Sequence, residues 1–127
     1  MNKSTSCDAS VLINFLRIKR IDLLEKCTHS FFITDHVQEE ISICYPAQRA
    51  CLEVGLHRNV LQKINVESDQ EFALFADLNK SGQLGAGECA AIAVACHRGY
   101  YLAIDDNQAI KKASGLVAAQ KNILNSC

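Results

Sequence analysis

The sequence predicts an α/β protein with a mostly parallel central sheet. Three observations point there. Short apolar runs of strand length alternate with longer runs of helical period. Helix-start signals follow the strand-like runs, as in a strand–helix–strand unit. The chain has 127 residues with one proline and six glycines, a length suited to one core. No linker, repeat or low-complexity tract divides it. The expectation is one three-layer α/β/α domain over residues 1–127.

Residues 4–7 read as a short, weakly apolar first strand leading into Asp8. "ASVLINFL" and "IDLLEKC" read as helix, interrupted near "RIKR". "SFFIT" (30–34) is a buried strand, and Asp35 with Gln38 resembles a capping box for a helix to about Ile43. Pro46 opens a new segment, and "AQRACLEVGLHR" is amphipathic helix. "VLQKINV" (60–66) alternates as a strand does, and "SDQE" (68–71) is a capping box for a helix to about Asn79. After the loop "SGQLGAG", "ECAAIAVACHR" is a small-residue helix closed by Gly99. Tyr100–Ile104 is a strand, residues 107–113 a helix, and "NILNSC" starts a last strand.

Apolar residues make up 49% and charged residues 21%, with net charge −1. That balance argues against a strong sequence-independent nucleic-acid binder, which is normally basic, but leaves room for an enzyme touching a few phosphates. Seven cysteines occur without a C-x-x-C pair, several in apolar helical runs such as "GECAAIAVAC". They read as reduced thiols of a cytoplasmic protein. Cys44, Cys51 and His57 fit no standard zinc spacing. No apolar run reaches the roughly 18 residues of a membrane span, and "MNKSTSCDAS" has no signal-peptide core.

Of fourteen acidic residues, Asp22, Glu25, Glu53, Glu67, Asp69, Glu71 and Asp77 read as solvated helix faces or caps. Others fall elsewhere. Asp8 follows the first strand, where it is either an N-cap or part of a site. Glu40 lies beside the buried stripe of its helix. Glu88 stands in the first turn of its helix, where the dipole also favours a carboxylate. Asp105 and Asp106 end a late strand. In parallel sheets ligands bind at the carboxyl ends of strands, and there these positions converge. Crowded carboxylates repel and raise one another's pKa. An oxygen-loving Mg²⁺ or Mn²⁺ relieves that repulsion, whereas zinc prefers His or Cys. Such a site activates water against a phosphodiester.

The segments "CDASVLINFL" (7–16), "FFITDHVQEEI" (31–41), "LGAGECAAIAVA" (84–95) and "YLAIDDNQAI" (101–110) together resemble the PIN-domain family, of the kind found as ribonuclease toxins of toxin–antitoxin pairs. The resemblance implies a parallel α/β/α fold and a metal-dependent endoribonuclease. It carries Asp8, Glu40, Glu88 and one or both of Asp105 and Asp106 onto the acid positions, and Ser10 onto a position whose hydroxyl supports the metal site. It also implies an RNA substrate, a small antitoxin partner and a homo-oligomer, such as a dimer. The first strand, "KSTSC", is more polar than the family's usual run. The third acid is Glu where many relatives have Asp. The family's C-terminal end is short or missing here, so the expected product is cut short or completes its sheet with a partner. Side chains alternate along a strand, so Asp105 and Asp106 point apart if the strand persists through them. The family's spacing favours Asp106 for direct ligation.

The competing reading is a PIN-like domain that binds RNA or protein without cutting. A receiver domain would carry its acidic pair after the first strand, and "GQLGAG" has the wrong order for a dinucleotide fingerprint. Arg17, Lys19 and Arg20, and Lys111 and Lys112, are candidate phosphate contacts or solvated helix ends. His36 reads as a surface helix residue.

Overall fold

The computed structural model describes residues 3–105. The expected helix at 107–113 and the last strand lie outside them. The described strands are β1 (Lys3–Cys7), β2 (His29–Thr34), β3 (Leu61–Ile64) and β4 (Tyr101–Ala103). The described helices are α1 (Ala9–Arg17), the short α2 (Asp22–Glu25), α3 (Asp35–Cys44), α4 (Arg49–His57), α5 (Asp69–Lys80) and α6 (Ala86–Arg98), with a 3-10 turn at Pro46–Gln48 before α4. The sheet order is β3-β2-β1-β4 and each pairing is parallel. This is the expected α/β fold.

The most polar strand, β1, lies between β2 and β4. Burying hydroxyls there is costly unless each finds a partner. Thr5 Oγ1 shares a 2.6 Å hydrogen bond with His29 Nδ1. Ser6 Oγ donates to the Ala91 carbonyl of α6 at 3.0 Å. A residue of period two thus serves both faces, Thr5 toward the neighbouring strand and Ser6 toward a helix. The approach to α6 is allowed because that helix is built of small side chains.

Helices cover both faces of the sheet. On one, α1 presents Ala9, Leu12, Ile13 and Leu16, spaced i, i+3, i+4, i+7, to a core shared with Phe31, Ile33 and Leu61. Val37 and Ile41 of α3 and Leu52 of α4 join it. On the other face, Leu78 of α5 and Cys89, Ile92 and Ala95 of α6 pack with Leu102 and Ile104. Alternation along the last strand explains the division: Ala103 faces one core and its two neighbours face the other. Helix α6 is buried from Cys89 to Ala95, so it lacks the polar face of a surface helix. It ends at Gly99, whose φ of 68° is the left-handed value that the sequence signalled.

Three expectations change. The N-cap of α3 is Thr34, whose Oγ1 accepts from Val37 N–H at 3.2 Å, and Asp35 is already helical. Thr34 is buried at the strand end in extended backbone, so its hydroxyl reaches the helix first. Strand β4 stops at Ala103, before the acid pair, so strand alternation does not govern where Asp105 points. Glu71 is 3% exposed, not solvated. Its Oε1 closes the expected capping box with Ser68, and both oxygens accept from Arg98 at 2.8 and 3.1 Å. The guanidinium reaches from the last turn of α6 and also donates to the Asn65 carbonyl, bolting α5 to α6.

The Arg98 hydrogen bonds hold the Glu71 carboxyl down at about 2 from an ordinary 4.5. Because the folded value is the lower one, the pair's stabilisation is present above about pH 4.5 and is lost as pH falls toward about 2. Arg98→Ala is expected to cost about 3 kcal/mol at pH 7 by urea unfolding and to remove that acid limb. A variant that loses stability between these pH values as steeply as the parent protein would show that the pair is not its source.

Candidate active site

In a parallel sheet, helices that follow strands start at the carboxyl edge, and a helix that feeds a strand runs back toward the amino edge. The starts of α1, α3 and α6 therefore gather at one edge. The chain winds outward from β1 through β2 to β3, then returns to place β4 on the other side of β1. The crevice between the ends of β1 and β4 is a topological switch point.

Asp8 stands at that point. Its backbone N–H donates to the Ala103 carbonyl at 2.9 Å, extending the pairing of β1 with β4. It occupies the N-cap position of α1 in extended backbone, yet its side chain makes no capping hydrogen bond. The carboxylate instead accepts from Ser10 Oγ at 2.8 Å, and Ser10 Oγ accepts from the Asp105 backbone N–H at 3.2 Å. One hydroxyl thus ties the carboxylate after β1 to the backbone after β4. Asp8 is 2% exposed, while Asp105 is exposed.

Glu40, in the second turn of α3, is half-buried on the same edge. Its carboxyl is held above the ordinary range, first by burial and second by the charge of Asp8. The two acids are therefore electrostatic neighbours. The Glu40 carboxylate rests against α6: a Cβ built on Gly87 would lie 2.7 Å from Oε1. Beside this contact a groove of about 280 Å³ opens between α3 and the start of α6, with Ile43, Cys44 and Ala86 in its walls.

Glu88 faces two demands. Its Oε1 accepts from the Gly85 N–H at 3.0 Å, capping its own helix. Its charge is also felt at the Cys89 thiol, which burial first, then Glu88 and to a lesser degree Asp8, push up to about 11. That thiol is buried and stays protonated near neutral pH. Among the described residues no group of three or more His, Cys, Asp or Glu side chains is gathered so as to hold a metal ion. Glu40 feels the charge of Asp8, and one oxygen of Glu88 caps its own helix. Hard oxygen donors on Asp8 and Glu40 suit Mg²⁺ or Mn²⁺.

Asp106, Lys111 and Lys112 lie outside the described residues. The "RIKR" cations sit at the far end of α1, eight residues beyond Ala9 or about 12 Å along the axis. Arg17 lies over the Tyr45 ring at 5.7 Å, and Arg20 is paired with Asp22 at 3.1 Å. His36 packs against the Phe75 ring. Gly87 was not nominated from the sequence. Its signal was a glycine in the first turn of a helix otherwise rich in alanine.

Asp8→Asn should lower the Glu40 pKa measured by carboxyl NMR, though not to the ordinary value, since burial is the larger cause. A raised folded pKa means that ionising Glu40 costs stability as pH rises through its titration. Asp8→Asn should lessen that cost; an unmoved Glu40 titration would show that the two acids do not sense each other.

A search of curated proteins by sequence finds no match. Among the described residues, no helix is long and apolar enough to cross a membrane. A family model described as a PIN domain matches residues 5–118, which takes in the chain from within β1 through β4, with Asp8, Glu40, Glu88, Asp105 and Asp106. PIN domains are generally nucleases that use divalent metals, and an acidic pair at the switch point of a parallel sheet is in keeping with that chemistry. The chain belongs to the PIN domain family.

Proposed function

We propose that the protein is a Mg²⁺- or Mn²⁺-dependent endoribonuclease that hydrolyses RNA phosphodiester bonds. The observation that carries this reading is the Asp8–Glu40 pair. Asp8 sits at an N-cap without capping, and its charge falls on a half-buried Glu40 whose carboxyl is already raised by burial. A fold gains no stability from holding two acids in that relation, so a cationic ligand is the natural resolution.

Asp8 and Glu40 would hold the cation, joined by Glu88 if it leaves its cap and by Asp105 or Asp106. When bound, the cation would supply an activated water and neutralise charge on the phosphate. The chain's own part is positioning. Ser10 fixes one Asp8 oxygen and keeps the β4 exit beside it. Glu40 lines the adjoining groove, which would seat part of the substrate. Arg17, Lys19 and Arg20, and Lys111 and Lys112, would contact phosphates removed from the scissile bond. The mechanism needs no side-chain nucleophile. The wider reading is a cytoplasmic toxin of a toxin–antitoxin pair, acting as a homo-oligomer and held in check by a small antitoxin.

A domain that binds RNA or protein without cutting is the second reading. The observation favouring it is Glu88, one of whose oxygens is already engaged by the Gly85 N–H.

Purified protein is expected to cleave RNA with Mn²⁺ and to lose the metal ion's effect with chelator. Asp8→Asn and Glu40→Gln should each lower cleavage at least about a hundredfold, the scale expected when an electrostatic group at the reacting centre is lost. Each should also weaken Mn²⁺ binding by calorimetry. Undiminished Mn²⁺ affinity in both variants, with no cleavage by any form, would sink the nuclease reading and leave the binding domain. The toxin reading stands apart: expression should arrest growth, and Asp8→Asn should relieve the arrest.

A further inference from the structure

Gly87 lies in ordinary helical backbone. The described glycines with left-handed φ are Gly82 and Gly99, so conformation does not call for glycine at 87. Helix propensity argues against it, since alanine is better in a helix. Space explains it instead. A Cβ at Gly87 would approach Glu40 Oε1 to 2.7 Å, while its contact with Val37 Cγ2 would be an ordinary 3.4 Å. The neighbouring Gly85 has no comparable constraint, as a Cβ there would meet Glu88 Oε1 at 3.8 Å. The atom in conflict at Gly87 is the far end of a flexible side chain. It can move aside at little structural cost, and what it gives up by moving is its place.

We propose that Gly87 is a positioning residue: its missing side chain is the seat of the Glu40 carboxylate, holding that acid against the start of α6. This rests on the metal-dependent reading of the site. Alanine at 87 would leave the fold intact and displace Glu40 from the pair. The larger loss is then of metal affinity, with a small cost in stability that comes from the Glu40 contact alone, which separates a positioning role from a packing one. The effect must also vanish when Glu40 has no carboxylate to displace.

The test is a double-mutant cycle between Gly87→Ala and Glu40→Ala, read in Mn²⁺ affinity by calorimetry and in Tm without metal. In the otherwise native chain, Gly87→Ala should weaken Mn²⁺ binding about tenfold or more, the scale for supporting groups around a metal. In the Glu40→Ala background it should weaken binding no further. The Tm step from Gly87→Ala should be more favourable in the Glu40→Ala background, because the added methyl there meets no carboxylate. Equal Tm steps in both backgrounds would overturn the seat, whether or not Mn²⁺ binds. Equal losses of affinity in both would overturn the positioning role. Native protein that binds no Mn²⁺, with unequal Tm steps, would overturn the metal reading while the seat survives as a contact.

Discussion

The parallel register of β1 against β4 is the constraint on which the acidic edge depends. Thr5, Ser6 and Cys7 pair with Tyr101, Leu102 and Ala103, and Asp8 N–H carries the ladder one step further to the Ala103 carbonyl. Everything at the switch point follows from that alignment. Asp8 leaves the sheet level with the exit of β4, so a serine two residues on can reach both its carboxylate and the Asp105 backbone. A slip of one residue would turn each side chain of β1 to the other face. Cys7 would leave its core, and the hydroxyl of Ser6 would lose the Ala91 carbonyl.

The same register explains a central strand as polar as "KSTSC". Buried hydroxyls are tolerable only when satisfied, and here each partner is available only in the folded arrangement. The small residues of α6 have a double consequence. They let the helix approach β1 closely enough for Ser6 to reach a backbone carbonyl, and at Gly87 they leave room for an acid from another helix. Packing and site geometry therefore share one compositional feature. The Arg98–Glu71 pair fixes the far end of α6 to α5, so the start of that helix is presented by a braced element.

The two kinds of acid in this chain differ by partner. Glu71 is 3% exposed and Glu40 only half-buried, yet the Glu71 carboxyl is held low because a guanidinium and backbone N–H groups hydrogen-bond it. Glu40 is held high by its burial first and by the charge of another acid, Asp8, second. Burial alone thus says little about role. A buried acid with a cation built beside it braces the fold, whereas one facing a like charge stores repulsion that a ligand can relieve.

Local chemistry was legible from the sequence wherever it acts within a few residues. The capping box at Ser68 and Glu71, the left-handed Gly99, the strand–helix alternation and Asp8 at a strand end could all be read in this way. They depend on periodicity, hydrogen-bonding reach and backbone sterics over one turn. The α3 cap was misplaced by one residue because Thr34 and Asp35 are both competent, and burial chose the hydroxyl. Only the tertiary structure decided which acids meet. Glu71 found Arg98 27 residues away, and Glu40 found both the charge of Asp8 and the vacant side of Gly87. Glu88 was drawn to its own helix. Those outcomes rest on helix approach and strand register, which bring distant segments within ångströms, and no local pattern encodes a distance between segments that the chain has yet to bring together.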